Sequence, residues 1–349
     1  MSVSSFKVDV HTHPLPKIWR RQALIDAGYN ATTDDDLFVD GSRTPNFTLD
    51  SYLQERIAHG CNFSILSITA PGVNFLRGNL QAKKLARELN EQMSVWAKQH
   101  PKQLGAFGIL PLPDLVASHE EIRFCLDDLG FEGIGLYTNV NGIYLGDESL
   151  DPIMEELNRR RAVAFVHPVG PPEAPLLPDM SLPVIEYIFD RTRAIGNLLF
   201  TQTRKRYTDI KFIFSHGGGA LPFLADRLAL QSTLPFQGGR NFNESLAEMQ
   251  GYYYDTAVTI GAPQFAALKA FVGSGKMLTG SDFLRLMVFV ANHMASLKIR
   301  TCQGVLFQVA QNALTGFDGF SEEDRQKIGG KNAFTLFPTL RQKFPELSL

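Results

Sequence analysis

Eight short apolar runs, separated by stretches of helical periodicity, constrain this chain more than any other feature. They read KVDV (7–10), FSILSI (63–68), LGAFGIL (104–110), EGIGLY (132–137), AVAFV (162–166), KFIFS (211–215), YYYDT (252–256) and KMLTG (276–280). Several are continuous β-branched and aromatic runs without alternation, the pattern of parallel strands buried on both faces. Between them, LQAKKLARELNEQMSVWAKQH, HEEIRFCLDDLG and SLDPIMEELNRRR space their apolar residues by three and four, as amphipathic helices do. In the last of these, Ser149 is the expected N-cap and Asp151 falls in the opening turn. Eight strands alternating with helices predict an α/β fold, a (β/α)8 TIM-type barrel. No repeat, low-complexity tract or linker divides residues 1–349, so a single domain is expected, at a length that α/β barrels commonly reach.

Two segments break the alternation. From Arg20 to Asp50 the chain is polar, carries Asp34-Asp35-Asp36 and has little periodicity. It is expected to be a small insertion after strand 1, lying over the barrel mouth. HPVGPPEAPLLPDMSLP, after strand 5, is dense in proline and must be an irregular loop, because proline breaks both helix and sheet ladders.

Composition narrows the function classes. With 44% hydrophobic residues the chain has ample material for a large core. A formal net charge of −2 gives no electrostatic case for nucleic acid or an acidic membrane surface. The cysteines, Cys61, Cys125 and Cys302, are scattered and odd in number, which fits a reducing compartment. The start, MSVSSFKVDV, lacks the basic-then-apolar pattern of a signal peptide, and no apolar run approaches the roughly 20 residues of a membrane span. A soluble, cytoplasmic protein is expected, with neither nucleic acid nor membrane as partner.

A barrel of this kind presents its reactive groups at the C-terminal ends of its strands. Strand 1 runs into His11-Thr12-His13, strand 5 into His167, and strand 6 into His216 and glycines 217–219. Strand 7 ends in Asp255, and strand 8 leads to Asp282. His11 and His13, two apart on a strand, point to the same side. Taken singly, each is ordinary: two polar strand residues, a structural histidine, a helix N-cap. Taken together, His11, His13, His167 and Asp282 predict a metal site, and imidazole with carboxylate suits zinc, manganese or iron. The glycines leave backbone close to the site without side-chain bulk. A phosphate cradle is not expected there, because the lysine and serine of a P-loop are missing. Asp255 reads equally well as a substrate-binding group or as one that orients a ligand. Phe47, Pro71, Phe75 and Phe223 are the expected apolar wall for a substrate ring.

These strand-end residues resemble the amidohydrolase superfamily, over about residues 7–340. FIFSHGGGALPFLADRL (212–228), HPVGPP (167–172), FDRTRAIGNLLF (189–200) and YYDTA (253–257) resemble its aminocarboxymuconate-semialdehyde decarboxylase-like branch. SITAPGV (67–73) is similar to the fungal 6-methylsalicylate decarboxylases. The resemblance implies loss of CO2 from a small aromatic carboxylate, without oxidation and without an organic cofactor. The most specific expectation is 6-methylsalicylate going to 3-methylphenol, with other salicylates or isoorotate as alternatives. Many members bridge two metals with a carboxylated lysine after strand 4. Here Leu136-Tyr137-Thr138 offers none, so one divalent ion is expected, zinc first and manganese second. The resemblance also implies a homodimer in which Arg227 reaches the neighbouring subunit's site and binds substrate carboxylate. One departure stands out: after Phe283 the chain continues Leu284-Arg285-Leu286-Met287, where the family usually has proline and a short polar loop.

Direct loss of CO2 from a salicylate would leave an aryl carbanion of high energy. Protonating the carboxylate-bearing ring carbon first avoids it, because the cyclohexadienone so formed is an electron sink. The proton donor must lie over that carbon, within hydrogen-bonding reach. By resemblance Asp282 takes this role with His216 beside it, and the reverse assignment stays open. Two other classes compete. One is a metal-dependent hydrolase such as a lactonase, using the same ligands to activate water. The other is a non-catalytic scaffold, which has no need for four converging ligands.

Overall fold

The computed structural model describes residues 6–26, 37–44, 46–58, 60–174, 180–259, 261–283 and 312–347. All eight apolar runs form strands: β1 (Val8–Thr12), β2 (Phe63–Leu66), β3 (Leu104–Ile109), β4 (Gly133–Tyr137), β5 (Val163–His167), β6 (Lys211–Phe214), β7 (Tyr253–Asp255) and β8 (Met277–Leu278). They pair in sequence order, and every pairing is parallel. The ring closes between its ends. Val10 N donates to Thr279 O at 3.0 Å, Asp282 N donates to His11 O at 2.9 Å, and Thr12 bridges Phe283 in parallel. The fold is therefore the expected (β/α)8 TIM-type barrel. Closure also brings the two ends of the predicted metal-ligand set, His11 and Asp282, side by side.

The helices follow from local sequence. Asn79 caps α1 (Leu80–Gln99) by accepting from Ala82 N, and Leu85, Leu89 and Met93 form the buried stripe that packs on β3. The helix after β4, α2 (Asp151–Arg159), starts differently from the expectation. Asp147, not Ser149, is the capping group: its carboxylate accepts from both Ser149 N and Ser149 Oγ and opens a short turn that runs into α2. A carboxylate accepts more strongly than a hydroxyl, and the hydroxyl is used here as a donor.

Three further helices frame the barrel mouth: α3 (Leu182–Phe200), α4 (Leu221–Gln231) and α5 (Ala262–Val272). The insertion after β1 holds more regular structure among its described residues than expected, and its Asp34-Asp35-Asp36 run lies outside them. It begins within a helix, Lys17–Asp26, and includes a hairpin of Phe38–Val39 and Ser42–Arg43. Leu37 and Val39 are buried, and Asp40 takes hydrogen bonds from Tyr187 Oη and, at 3.1 Å, from Leu182 N of α3. The unusual segment after Phe283, Leu284-Arg285-Leu286-Met287, lies outside the described residues.

One apolar cluster fills the space between sheet and helices. A second joins Phe6, Phe63, Phe107 and Phe165 to the C-terminal residues Phe334, Phe337 and Phe344. Phe107 stacks on Phe165 with centroids 5.2 Å apart, and Phe165 meets the His11 ring edge-on at 5.0 Å. The histidines of the site therefore rest on an aromatic floor. No helix among the described residues is long and apolar enough to cross a membrane.

Candidate active site

His11, His13, His167 and Asp282 converge as the sequence predicts. Each is buried, and one ligand atom from each lies within 4.8 Å of all the others. Two ligands about 2.1 Å from a single ion are about 4.2 Å apart at most, so only a sub-ångström closure is needed. The second nitrogen of each ring is tied down. His11 Nδ1 donates to Asp255 Oδ2 at 2.8 Å, His13 Nδ1 to Ser67 O at 3.0 Å, and His167 Nδ1 to Pro168 O at 2.7 Å. Each bond leaves the Nε2 lone pair for the centre, the arrangement that orients imidazole ligands.

The chemistry of the donor set fits a divalent cation. His167 Nε2 and Asp282 Oδ1 are buried without a hydrogen-bond partner. His11 Nε2 and His13 Nε2 face each other at 2.9 Å, and Asp282 Oδ1 lies 3.4 and 3.3 Å from them. Burial pushes the His11 imidazole down, but the carboxylates of Asp255 and Asp282 outweigh it and lift it to about 10. Burial holds His13 and His167 below the usual imidazole range. Two buried carboxylates thus demand a positive charge at this spot. A proton on His11 supplies it in the protein alone, and a metal ion would supply it in that proton's place.

His216 lies beside this set. Its Nε2 is 3.1 Å from Asp282 Oδ2. Burial, reinforced by the Arg191 charge, lowers the ring to about 4. Its backbone is left-handed, with φ 50°, and so is that of Asp282, with φ 54°. Gly218 (φ 75°) answers part of the glycine run: a Cβ there would come within 2.7 Å of the Tyr254 ring.

Other expected site residues are placed differently. Asp255 is buried and turned to His11 rather than to the cavity; its other oxygen accepts from the backbone N–H groups of His216 and Ala257. Its two oxygens face His11 and the backbone, the geometry of the orienting alternative, and it does not line the cavity. A cavity of about 690 Å³ opens above His167, His216 and Asp282, walled by Val184, Ile188, Pro222, Phe223, Val258 and Leu268. Of the four expected wall residues, only Phe223 is there. Phe47 packs on Tyr52 and Trp96, Pro71 is buried away from the cavity in the loop after β2, and Phe75 borders a separate shallow depression beside Gln22. Arg227 is exposed on α4. Its side chain makes no hydrogen bond or ion pair among the described residues, and it does not line the cavity. The wall instead comes from α3, α4 and α5.

One residue of the site had no role in the sequence reading. Arg191 of α3 is fully buried and lines the cavity, with Nη2 2.5 Å from His216 Nδ1 and Nε 3.2 Å from Ser215 Oγ. Its spacing was the available signal. Tyr187, Arg191, Ile195 and Leu198 fall on one buried helix face, where a cation is out of place unless it has a task.

A ligand-bearing, closed (β/α)8 barrel of this geometry is the amidohydrolase type of metal-dependent enzyme. Residues 8–339 match the amidohydrolase family, and the chain belongs to it. It is 32% identical over 342 residues to a 6-methylsalicylic acid decarboxylase of Penicillium expansum, covering 96% of this chain and 97% of that one. To a 6-methylsalicylic acid decarboxylase of Aspergillus aculeatus it is 33% identical, covering 79% and 84%. Among solved structures, a dihydroxybenzoic acid decarboxylase of Polaromonas, with bound manganese and the inhibitor 2-nitroresorcinol, has the same fold. Its TM-score is 0.76, at 19% identity over 98% of each chain.

Proposed function

We propose that the chain is one metal-dependent barrel domain that removes CO2, without oxidation, from a small aromatic carboxylate. 6-Methylsalicylate, giving 3-methylphenol, is the first choice of substrate. The observation that carries this reading is the His216–Asp282 contact at the base of an apolar cavity, beside a ligand set with orphaned buried donor atoms. One divalent ion held by His11, His13, His167 and Asp282 would supply Lewis-acid polarisation of substrate oxygens. The absence of a lysine after β4 supports a single ion; the donor set supports zinc first and manganese second.

The residues around the cavity do the rest. Ile188, Pro222 and Leu268 give the substrate ring an apolar wall. Asp282 Oδ2 offers the acid position toward the ring carbon, and His216 Nε2 hydrogen-bonds to that oxygen and directs it. Phe223, Arg227 and Leu230 form an exposed stripe on α4, and Phe223 borders the cavity mouth. That stripe supports a homodimer whose second subunit receives Arg227. The free, buried thiols of Cys61 and Cys125 support a reducing compartment, the cytoplasm.

The test is a screen of zinc- and manganese-loaded protein against 6-methylsalicylate, 2,6-dihydroxybenzoate, 5-carboxyvanillate and isoorotate, reading CO2 release. Metal content is measured on the same samples. Lactone opening without CO2 release would move the chain to the hydrolases. Two ions per chain would overturn the mononuclear site.

A further inference from the structure

We propose that Arg191 is a positioning residue: its guanidinium fixes His216 as the neutral tautomer that carries its proton on Nε2, aimed at Asp282. A guanidinium can only donate. At 2.5 Å from Arg191 Nη2, His216 Nδ1 must therefore accept, which leaves the ring proton on Nε2. Nε2 then donates across 3.1 Å to Asp282 Oδ2, the oxygen not directed at His11 and His13. Ser215 Oγ completes the clamp. It accepts from Arg191 Nε at 3.2 Å and stands 3.1 Å from His216 Nδ1, whose single lone pair the guanidinium already occupies.

The surroundings favour this task over an ordinary ion pair. Arg191 is fully buried and makes no salt bridge with any acid among the described residues. The preceding Asp190 turns the other way, to Thr138, Asn139 and Tyr144. Asp255, another acid at the strand ends, binds the His216 backbone and the His11 ring instead. Asp255, Asp190 and Asp282 offset the Arg191 charge only at a distance, with no direct ion pair, so burying it here is expensive, and a purely structural role would be met by an apolar residue on this helix face. Gly219 shows the local cost of seating it. A Cβ there would lie 2.3 Å from Ile188 O and 3.2 Å from Arg191 Nη1, so only glycine lets α3 approach the strand end this closely.

The test is ¹⁵N NMR of histidine-labelled, zinc-loaded protein, with the His216 signals identified by their loss in His216→Gln. The wild type should show His216 Nδ1 without a proton and Nε2 with one. Arg191→Met should shift the ring toward a mixture in which Nδ1 is protonated by turning to Ser215 Oγ, and Arg191→Lys, which also only donates, should restore the wild-type pattern. The kinetic arm rests on the decarboxylase reading. There kcat should fall about 10- to 100-fold in Arg191→Met, the loss of one charge-assisted hydrogen bond, with KM little changed and recovery in Arg191→Lys. A wild-type spectrum with the proton on Nδ1, or an unchanged tautomer in Arg191→Met, overturns the proposal. So does a raised KM at unchanged kcat, which would make Arg191 a substrate-binding residue. If Arg191→Met does not fold, Arg191→Gln takes its place: its amide oxygen can accept from Nδ1–H and should move proton density there, and an unchanged tautomer in it overturns the proposal. If no carboxylate is turned over, the decarboxylase reading fails while the tautomer result stands.

Discussion

Replacing Asp255 with asparagine should cripple metal binding by a route readable from three hydrogen bonds. Asp255 Oδ1 accepts from His216 N at 2.8 Å and Ala257 N at 2.9 Å, and Oδ2 accepts from His11 Nδ1 at 2.8 Å. An asparagine must place its carbonyl oxygen toward the two backbone donors. The opposite orientation would set its NH2 against both, leaving buried donors unpaired at about 1–3 kcal/mol each. The NH2 therefore faces His11 Nδ1, and the ring can satisfy it only by moving its proton to Nε2. A protonated Nε2 cannot ligate. Loss of such an orienting partner lowers metal affinity about 10- to 100-fold, or about 1.4–2.7 kcal/mol. The assay is competition for zinc against a chromophoric chelator, with near-ultraviolet circular dichroism to confirm native packing. Folded Asp255→Asn protein with wild-type zinc affinity would refute the assignment of His11 Nε2 as a ligand held by Asp255.

Asp282→Asn, supplied with metal to full occupancy, should lose activity by about 10²–10⁴-fold, and the wild type in D2O should place deuterium on the carbon that lost CO2. Near-normal turnover of the fully loaded variant would leave Asp282 as a ligand only. Mixed Arg227→Ala and Asp282→Asn chains should recover part of the activity through hybrid dimers with one intact site; no recovery with hybrids confirmed by native mass spectrometry would confine Arg227 to its own subunit. Away from the site, hydrogen bonds from Arg159, then Arg160, hold Glu156 at about 2, below its ordinary 4.5. A depressed carboxyl stabilises the fold fully above the unfolded value and loses that contribution as pH falls from about 4.5 to 2. Since Arg159 is 65% exposed and screened, the contribution is about 1 kcal/mol. Glu156→Gln should narrow the gap between urea midpoints at pH 5 and pH 3, and an unchanged gap would show that the pair contributes nothing.

The barrel was legible because buried parallel strands are written as continuous apolar runs, and even two-residue β8 is announced by KMLTG. The convergence of the candidate ligands was legible because barrel topology sends strand ends to one face, so bringing His11, His167 and Asp282 together needed no knowledge of contacts. Asp255 was ambiguous for the opposite reason. Its partner, His11, is 244 residues away, and strand position does not tell which neighbour a carboxylate will face. The aromatic wall was misread since phenylalanine in a loop signals burial but not against what; Phe47 found Trp96 instead of substrate. The α2 cap was misplaced by two residues, where Asp147 and Ser149 offered competing acceptors.

Asp255 also links the two halves of the site. His216 sits in the left-handed region, a strain of about 1–3 kcal/mol for a residue with a Cβ. Something must hold it there, and His216 N donates to the same carboxylate that orients His11. Asparagine keeps the oxygen that serves the backbone and changes only the atom facing His11. Alanine removes both. The two substitutions should therefore separate: Asp255→Asn should lose metal affinity while the His216 tautomer signal keeps its wild-type position, whereas Asp255→Ala should lose metal affinity and broaden or shift the His216 signal as its backbone relaxes. An undisturbed His216 signal in folded Asp255→Ala protein would mean that the glycine run alone maintains the left-handed turn, and that one carboxylate does not couple the metal ligand to the residue beside the proton donor.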